Sequence, residues 1–455
     1  MNPKLAKLLS LTGALSLALS ACTAAAPPAP TAAPAKPTEA AKPAATTAPA
    51  TAGKVFFYST QGNTVNEAEA LRKQVLNTFK GEVELVTEAG GPFLDKIIAE
   101  NKAGKGTVDV AAGLIGDMSP LTTGQLKDLT ALKAKLGDRG IPASFWEVSK
   151  LGTDKTLLVP WMQATLIMGV NKKALKYLPS GADINNLTYD QLLAWGKAMK
   201  DGEKEAKIGF AAGANGLIHR FFQGYLIPAF SGGTAATYGT PEAAAAWKYF
   251  VDLWQYVNPQ STTYNFMQEQ LLSGEVWVTI DHVARLKDAF ANKPDDFVAA
   301  PAPIGPKGRA YMVILAGMGI PATSPNPTGA EALVDFMTSA ATQAANLTAI
   351  GFYPVSGGEL PANAPAWQKA MGSAVKAQAA DAKALPVLIP QGLGAKGGDF
   401  NKVYRDTFTE IVLNKADITA TLAKQKVVLQ GVMNDTKAPC WAPDPVKAGE
   451  PCVIK

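Results

Sequence analysis

The only two histidines of this 455-residue chain, His219 and His282, both stand close to arginines. Arg220 follows the first directly, Arg285 lies three residues after the second, and Asp281 immediately precedes it. Imidazole, guanidinium and carboxylate groups supply planar donors and acceptors, a set suited to gripping hydroxyls or an anion. Arginines so placed suit a phosphate or an acidic sugar, and they hydrogen-bond neutral hydroxyls equally well. The bland alternative is that each histidine packs or sits on the surface, and that Asp281 merely ties down a loop. Catalytic signatures are missing from the sequence. It has no Gly-x-Ser-x-Gly elbow, no His-Glu-x-x-His zinc site and no phosphate loop ending in Gly-Lys-Ser/Thr. Two glycine-rich runs imitate dinucleotide motifs. Gly317 to Ala322 runs into Pro321 instead of opening a helix, and Gly392 to Gly397 follows Pro390 in a loop-like stretch, so no cofactor is expected. Paired carboxylates leave no spacing signature, so a secreted carbohydrate-cleaving hydrolase stays open as an alternative.

Such residues need elements to hold them. Lys54 to Ser59 is a β-rich run, Asn66 to Phe79 has helical spacing, Val83 to Val86 reads as a strand, Pro92 to Ala103 as a helix and Val108 to Ala112 as a buried strand. This β-α-β-α-β order predicts an α/β fold with a mostly parallel sheet between layers of helix. Thr188 to Gln191 fits a capping box, while Thr240-Pro241 and Asn326-Pro327 each pair an N-cap with proline at the first helical position. Ligands of open α/β sheets lie beyond the carboxyl ends of strands. On that rule the first strand offers Ser59, Thr60 and Gln61, and the third offers Gly113 to Asp117. Further on, a strand ending at Phe210 and Ala211 leads to Asn215, His219 and Arg220, and Val276 to Ile280 leads to Asp281, His282 and Arg285. By contrast Trp247, Phe250, Val251 and Trp254 recur at helical spacing and read as core, as does Trp277 within an apolar strand.

The first 53 residues have another character. Lys4 and Lys7 precede an apolar run from Leu8 to Ala21, too short to span a bilayer comfortably and typical of an export signal. Leu19-Ser20-Ala21-Cys22 resembles the bacterial lipobox, which implies a signal peptide over 1–21 and a lipidated Cys22. From Thr23 to Ala52 the chain is almost wholly Ala, Pro and Thr, a spacer that at ~3 Å per residue reaches roughly 90 Å from the membrane. The full chain is 47% hydrophobic and 18% charged, values of a globular protein, and the roughly 400 residues after the spacer favour two domains. A formal charge of +5 falls by two, to +3, when Lys4 and Lys7 leave, and the other charges are mixed in sign. Nucleic acid is therefore not an expected partner. With Cys22 committed to lipid, Cys440 and Cys452 form the remaining pair, which an exported protein keeps oxidised at a gain of ~3 kcal/mol by loop entropy. No histidine lies beside them, so no metal site is expected there.

Several landmarks follow one another in a telling order. They are Val108 to Gly113, Leu126 to Thr130, Leu158-Val159-Pro160-Trp161, Val170-Asn171-Lys172, Leu187 to Leu192, Leu272 to Trp277, Ala300 to Pro306 and Gly351 to Val355. The series resembles the extracellular solute-binding proteins of bacterial ABC importers, in particular the sugar-binding cluster that includes maltose-binding protein, from Lys54 to about Val432. The resemblance implies a two-lobed periplasmic-binding-protein fold of type II kind, with parallel or mixed sheets and three hinge crossings near 160–165, 300–306 and 349–354. Lobe one would be 54–160 plus 305–348, and lobe two 161–304 plus 349–455. It also implies that the first crossing offers Trp161 and Gln163 and the third offers Phe352 and Tyr353, with a sugar held among these, Asn215 and the stretch Asp281 to Arg285. Flat aromatic faces meet sugar CH groups and planar polar groups meet hydroxyls. Trp161 could instead pack into the hinge, and of the neighbours Phe352 and Tyr353 either could be the one that points inward. The implied protein is a monomer that captures a mono- or oligosaccharide or a related polyol and hands it to ABC permease subunits from outside the cytoplasm, lipid-anchored at the membrane or in the periplasm. A passive surface lipoprotein or adhesin is the remaining alternative.

Overall fold

The computed structural model describes residues 53–455 apart from positions 63, 89, 123, 138, 357–359, 361 and 448. The leader, Cys22 and the spacer to residue 52 lie outside the described residues. Eleven strands are found among those described: β1 (Lys54–Ser59), β2 (Glu82–Thr87), β3 (Val110–Leu114), β4 (Val159–Ala164), β5 (Leu166–Asn171), β6 (Ile208–Gly209), β7 (Val278–His282), β8 (Phe297–Ala300), β9 (Arg309–Gly319), β10 (Tyr353–Pro354) and β11 (Ala384–Leu388). One sheet runs β10-β4-β9-β3-β1-β2 with β11 lying along the start of β9, and a second runs β6-β7-β5-β8. Alternation along β1 shows how the first sheet is covered on both sides. Val55 and Phe57 enter the main core, while Tyr58 faces a smaller core and stacks on Phe93 of helix Gly90–Lys102 at 5.1 Å.

The α/β class holds, but the parallel character is narrower than the strand-helix alternation suggests. In the first sheet β1 pairs in parallel with β2 and β3, whereas β3, β4 and β10 join the rest through antiparallel pairs. β9, the strand that arrives from the other sheet, runs antiparallel to both β3 and β4 and so interrupts the parallel series. The first passage between sheets is Thr165, because β4 stays on the first sheet to Ala164 and β5 begins the second at Leu166. The lobe boundary expected at 160/161 therefore falls four residues too early. A second passage runs from Ala300 to Arg309. The third comes later than 349–354. Helix Ala340–Ile350 and β10 still belong to the first sheet, where Gln163 Nε2 donates to Pro354 O at 2.6 Å, and helix Ala366–Ala380 packs against β8 on the second.

These passages share one buried polar knot. Thr165 Oγ1 donates to Met312 O of β9 at 2.8 Å and lies 2.8 Å from Tyr225 Oη, which also accepts from Leu166 N at 2.6 Å. Gln378 Nε2 reaches Thr165 Oγ1 at 3.3 Å while its Oε1 accepts from Ala302 N at 2.8 Å, linking the first passage to the second. Arg309, 1% exposed, donates to Ala302 O, to Asn185 O and to Asp381 at 2.6, 2.7 and 2.8 Å. Buried donors and acceptors so arranged satisfy one another, which is the condition for tolerating them in a core.

The lobe on the second sheet is mostly helical. The Thr188–Gln191 capping box is present, and Thr240 and Asn326 cap their helices as their sequences suggest. Trp247 and Phe250 are fully buried, with Phe222 tilted against the first at 4.4 Å and edge-on to the second at 4.9 Å, and Trp277 is 6% exposed. The chain end returns to this lobe. Cys440 and Cys452 are bonded with Cα atoms 4.5 Å apart, Asp444 accepts from the N–H groups of Thr234 and Ala235, and Lys455 N donates to Ala236 O.

Candidate functional site

On the second lobe three loops converge at the carboxyl ends of β6 and β7. After β6 the chain turns through Gly213 and Asn215 into helix Ile218–Phe221, whose next turn, Phe222–Leu226, is a π-helix. A second loop, Tyr264 to Met267, meets it, since Gly213 N donates to Tyr264 O at 2.7 Å and Asn215 N to Asn265 Oδ1 at 2.9 Å. The third is the end of β7. Asp281 accepts there from Met267 N at 3.1 Å and His282 N at 2.8 Å, and Arg285 Nη1 donates to Asn265 O at 3.0 Å. The Arg285 guanidinium lies 4.5 Å from the centroid of Phe266, whose ring is 43% exposed. Arg405, from helix Gly397–Phe408, donates to Gly213 O at 3.3 Å and also to Gly216 O, clamping the loop that carries Asn215. The result is an exposed aromatic face ringed by amides and arginines, rigidly held from behind.

Groups of the first lobe come within electrostatic reach of this surface. Asp117, beyond β3, keeps contact with solvent, yet the crowding protein raises its carboxyl above the usual range and the charge of Arg220 acts against that rise. Glu67, on helix Val65–Ala70, is likewise raised by burial and feels Arg285. Burial lowers the proton affinity of Arg220, Arg285 and Arg405, with Asp117, Asp281 and Glu67 pulling the first two back up. Burial, followed by these three arginines, holds His219 well below its ordinary value. Among the described residues no metal-holding cluster of His, Cys, Asp or Glu occurs. A separate cavity of about 570 Å³, lined by Gln343, Thr348, Pro354, Leu360, Asn363 and Gln368 among others, contains no charged side chain.

Not every expected residue reaches this surface. Trp161, expected to offer its ring to a ligand, has no exposed surface and meets Phe57 edge-on at 5.4 Å. The cause is local. Pro160 lacks an N–H, the β4–β9 register slips between Pro160 and Met162, and the resulting irregularity turns Trp161 into the core. Ser59 is fully buried and bonds its own loop at Gln61, while Thr60 is nearly buried and Gln61 half-exposed. Gln163 spends its amide on Pro354. Asp281 uses both oxygens on backbone donors, and His282 caps helix Val283–Asn292 by accepting from Ala284 N at 3.2 Å. Phe352 packs on His282 at 5.2 Å, and Tyr353, 6% exposed, donates to Gln368 O. Asn215 and Arg285 both bond Asn265, while Asp117 feels Arg220 and His219 feels Arg220, Arg405 and Arg285. Phe266, Asn265, Glu67 and Arg405 were not anticipated. An aromatic between loop polar residues, Thr263 to Phe266, was the one legible hint, whereas Arg405 reads as an ordinary helix charge.

Residues 62–344 match the family model described as bacterial extracellular solute-binding protein. No curated protein matches the chain. The maltose-bound MalE3 of T. maritima superposes with a TM-score of 0.66 at 19% identity, over 84% of this chain and 100% of that one. The GacH receptor of Streptomyces glaucescens, solved unliganded and with acarbose, gives 0.65 at 17% identity over 84% and 99%. UgpB of Mycobacterium tuberculosis in complex with glycerophosphocholine gives 0.63 at 20% identity over 84% and 99%. At these identities the likeness is one of fold.

Proposed function

Because the chain belongs to the bacterial extracellular solute-binding proteins, a family of ABC-transporter binding proteins rather than enzymes, we propose that it captures a sugar or related polyol between its lobes and presents it to a permease. The observation that carries this reading is Phe266, an exposed ring seated on Arg285 and bordered by Asn265 and Asn215. A sugar's CH face stacks on such a ring, and its hydroxyls find planar donors and acceptors at the rim. Asn215, His219, Arg220, Arg285 and Asp117 complete the site, with Gln61 as a further contact from the first lobe. Asp281, His282 and Arg405 position the loops. Relatives of the same fold have been solved with maltose, acarbose and glycerophosphocholine, which is consistent with a polyhydroxylated ligand. On this reading one lobe comprises 54–164 and 309–354 and the other 166–300 and 366–455.

A thermal-shift screen of a sugar and polyol panel tests this, since a ligand that binds the native state alone raises the melting temperature. Phe266→Ala is expected to weaken the best hit by about tenfold, the order expected for losing an aromatic face. An unchanged affinity would remove Phe266 from the site, and hydrolysis of a panel member would replace the receptor reading with an enzyme. The family is extracellular or periplasmic. Anchoring through lipidated Cys22, with 23–52 as spacer, completes the proposal. Cells fed an alkyne-tagged palmitate should label the wild type and not Cys22→Ala, and equal labelling would refute the anchor.

A further inference from the structure

Arg405 bonds Gly213 and Gly216 in the loop that leads into the helix of Arg220, and that loop bonds Asn265, the partner of Arg285, so the three guanidiniums border one pair of loops. Among the described residues none of the three has a carboxylate in ion-pair contact, whereas the buried Arg309 pairs with Asp381 at 2.8 Å. Few of their donors are used. Arg220 has a single long hydrogen bond, Nη1 to Gln223 Oε1 at 3.5 Å, and Gln223 is itself fixed through Asn401 Oδ1 at 3.0 Å. Arg285 uses one donor, on Asn265 O, and Arg405 uses two, on Gly213 O and Gly216 O. A guanidinium carries five donors in a planar fork, so most remain for something else. Beside them His219, 6% exposed, buries Nδ1 without a partner. Asp117, Asp281 and Glu67 act on Arg220 and Arg285 only through space, and Asp281 has both oxygens engaged by backbone donors, so no acid occupies the free guanidinium donors.

We propose that Arg220, Arg285, Arg405 and His219 form an oxyanion subsite, so that the captured polyol carries a phosphate or a carboxylate. This rests on the reading of the chain as a polyol receptor and narrows its ligand class. Arginine forks match both groups in geometry, and a buried unpartnered imidazole nitrogen adds one more polar contact to the oxyanion's shell. Phe266 would then receive the carbon skeleton while the arginines receive the charge.

Calorimetric titration with matched probes tests it: glycerol against glycerol 3-phosphate, and glucose against glucose 6-phosphate and glucuronate, with inorganic phosphate as the bare anion. At least one charged member is expected to bind about tenfold or more tighter than its neutral partner. The glucuronate and phosphate arms tell which oxyanion the subsite prefers. Raising salt from about 50 to about 500 mM should weaken the charged member selectively. Arg220→Gln should shrink the charged-to-neutral ratio to within about threefold, and the salt series on the wild type gives an answer even if that variant does not fold. Neutral members binding as tightly as charged ones overturns the subsite and leaves the receptor reading standing. Absence of binding by every member, charged or neutral, overturns both.

Discussion

Asp281 and His282 are adjacent, and burial shifts them so that acid acts on them in opposite directions. It raises Asp281 to about 6 and, together with Arg285, lowers His282 to about 3. A carboxyl raised above its unfolded value of 3.8 contributes stability that is present below about pH 4 and lost as pH rises through 6. An imidazole depressed below 6.5 contributes stability that is present above about pH 6.5 and lost as pH falls toward 3. In the wild type the two trends nearly offset between pH 4 and 6. Removing either one unmasks the other. His282→Asn, which keeps a capping acceptor, is expected to resist acid better than the wild type, and Asp281→Asn to resist it less, each by about 1–3 kcal/mol across the window. His219 is depressed as well, but it is common to all three proteins and cancels in the comparison. Urea unfolding between pH 4.5 and 7.5 measures this, and superimposable pH profiles would show that burial does not govern these groups. At this scale sequence reading pointed to the loops that meet in the fold and was less reliable about which atoms face outward. Trp161 packs inward because the strand register slips between Pro160 and Met162, a tertiary pairing that no local pattern records. Asp281 and His282 lie in the expected stretch, but their polar atoms turn back on their own loops.

Among elements, the three opening strands and the three capped helices were legible because each is announced by alternation or by an N-cap residue at its own position. The stretch expected as one helix from Asn66 to Phe79 is instead three short pieces, an α-turn, a π-turn and a 3₁₀ turn, which let Leu71, Val75 and Leu76 all reach the core. The passages between sheets were placed approximately, since their exact points depend on hydrogen bonds between residues far apart in the chain. Thr165 is the clearest case. Its hydroxyl bridges Met312 O, Tyr225 and Gln378 in a fully enclosed position. Thr165→Val preserves shape while leaving several buried groups short of a partner, and is expected to cost about 2–3 kcal/mol in chemical denaturation. A loss under about half a kcal/mol would mean that these partners re-pair on their own.

For the molecule as a whole, the order of landmarks along the chain was the strongest signal, stronger than any single motif, and the family match from residue 62 to 344 agrees with it. The face assembled from Phe266, Arg405 and Glu67 was not legible, because its members come from three distant stretches that meet only in the folded state. That scattering has a bearing on how the protein comes into being. The first sheet needs β9 and β10 to surround β4, and the second lobe needs a tail running to Lys455 to cover the loop at Thr234 to Gly239. Neither half can therefore lock while its later stretches are still being synthesised. A chain stitched in this alternating manner can close its last contacts only when nearly all of it has been made, so its non-local pairings set the pace of folding.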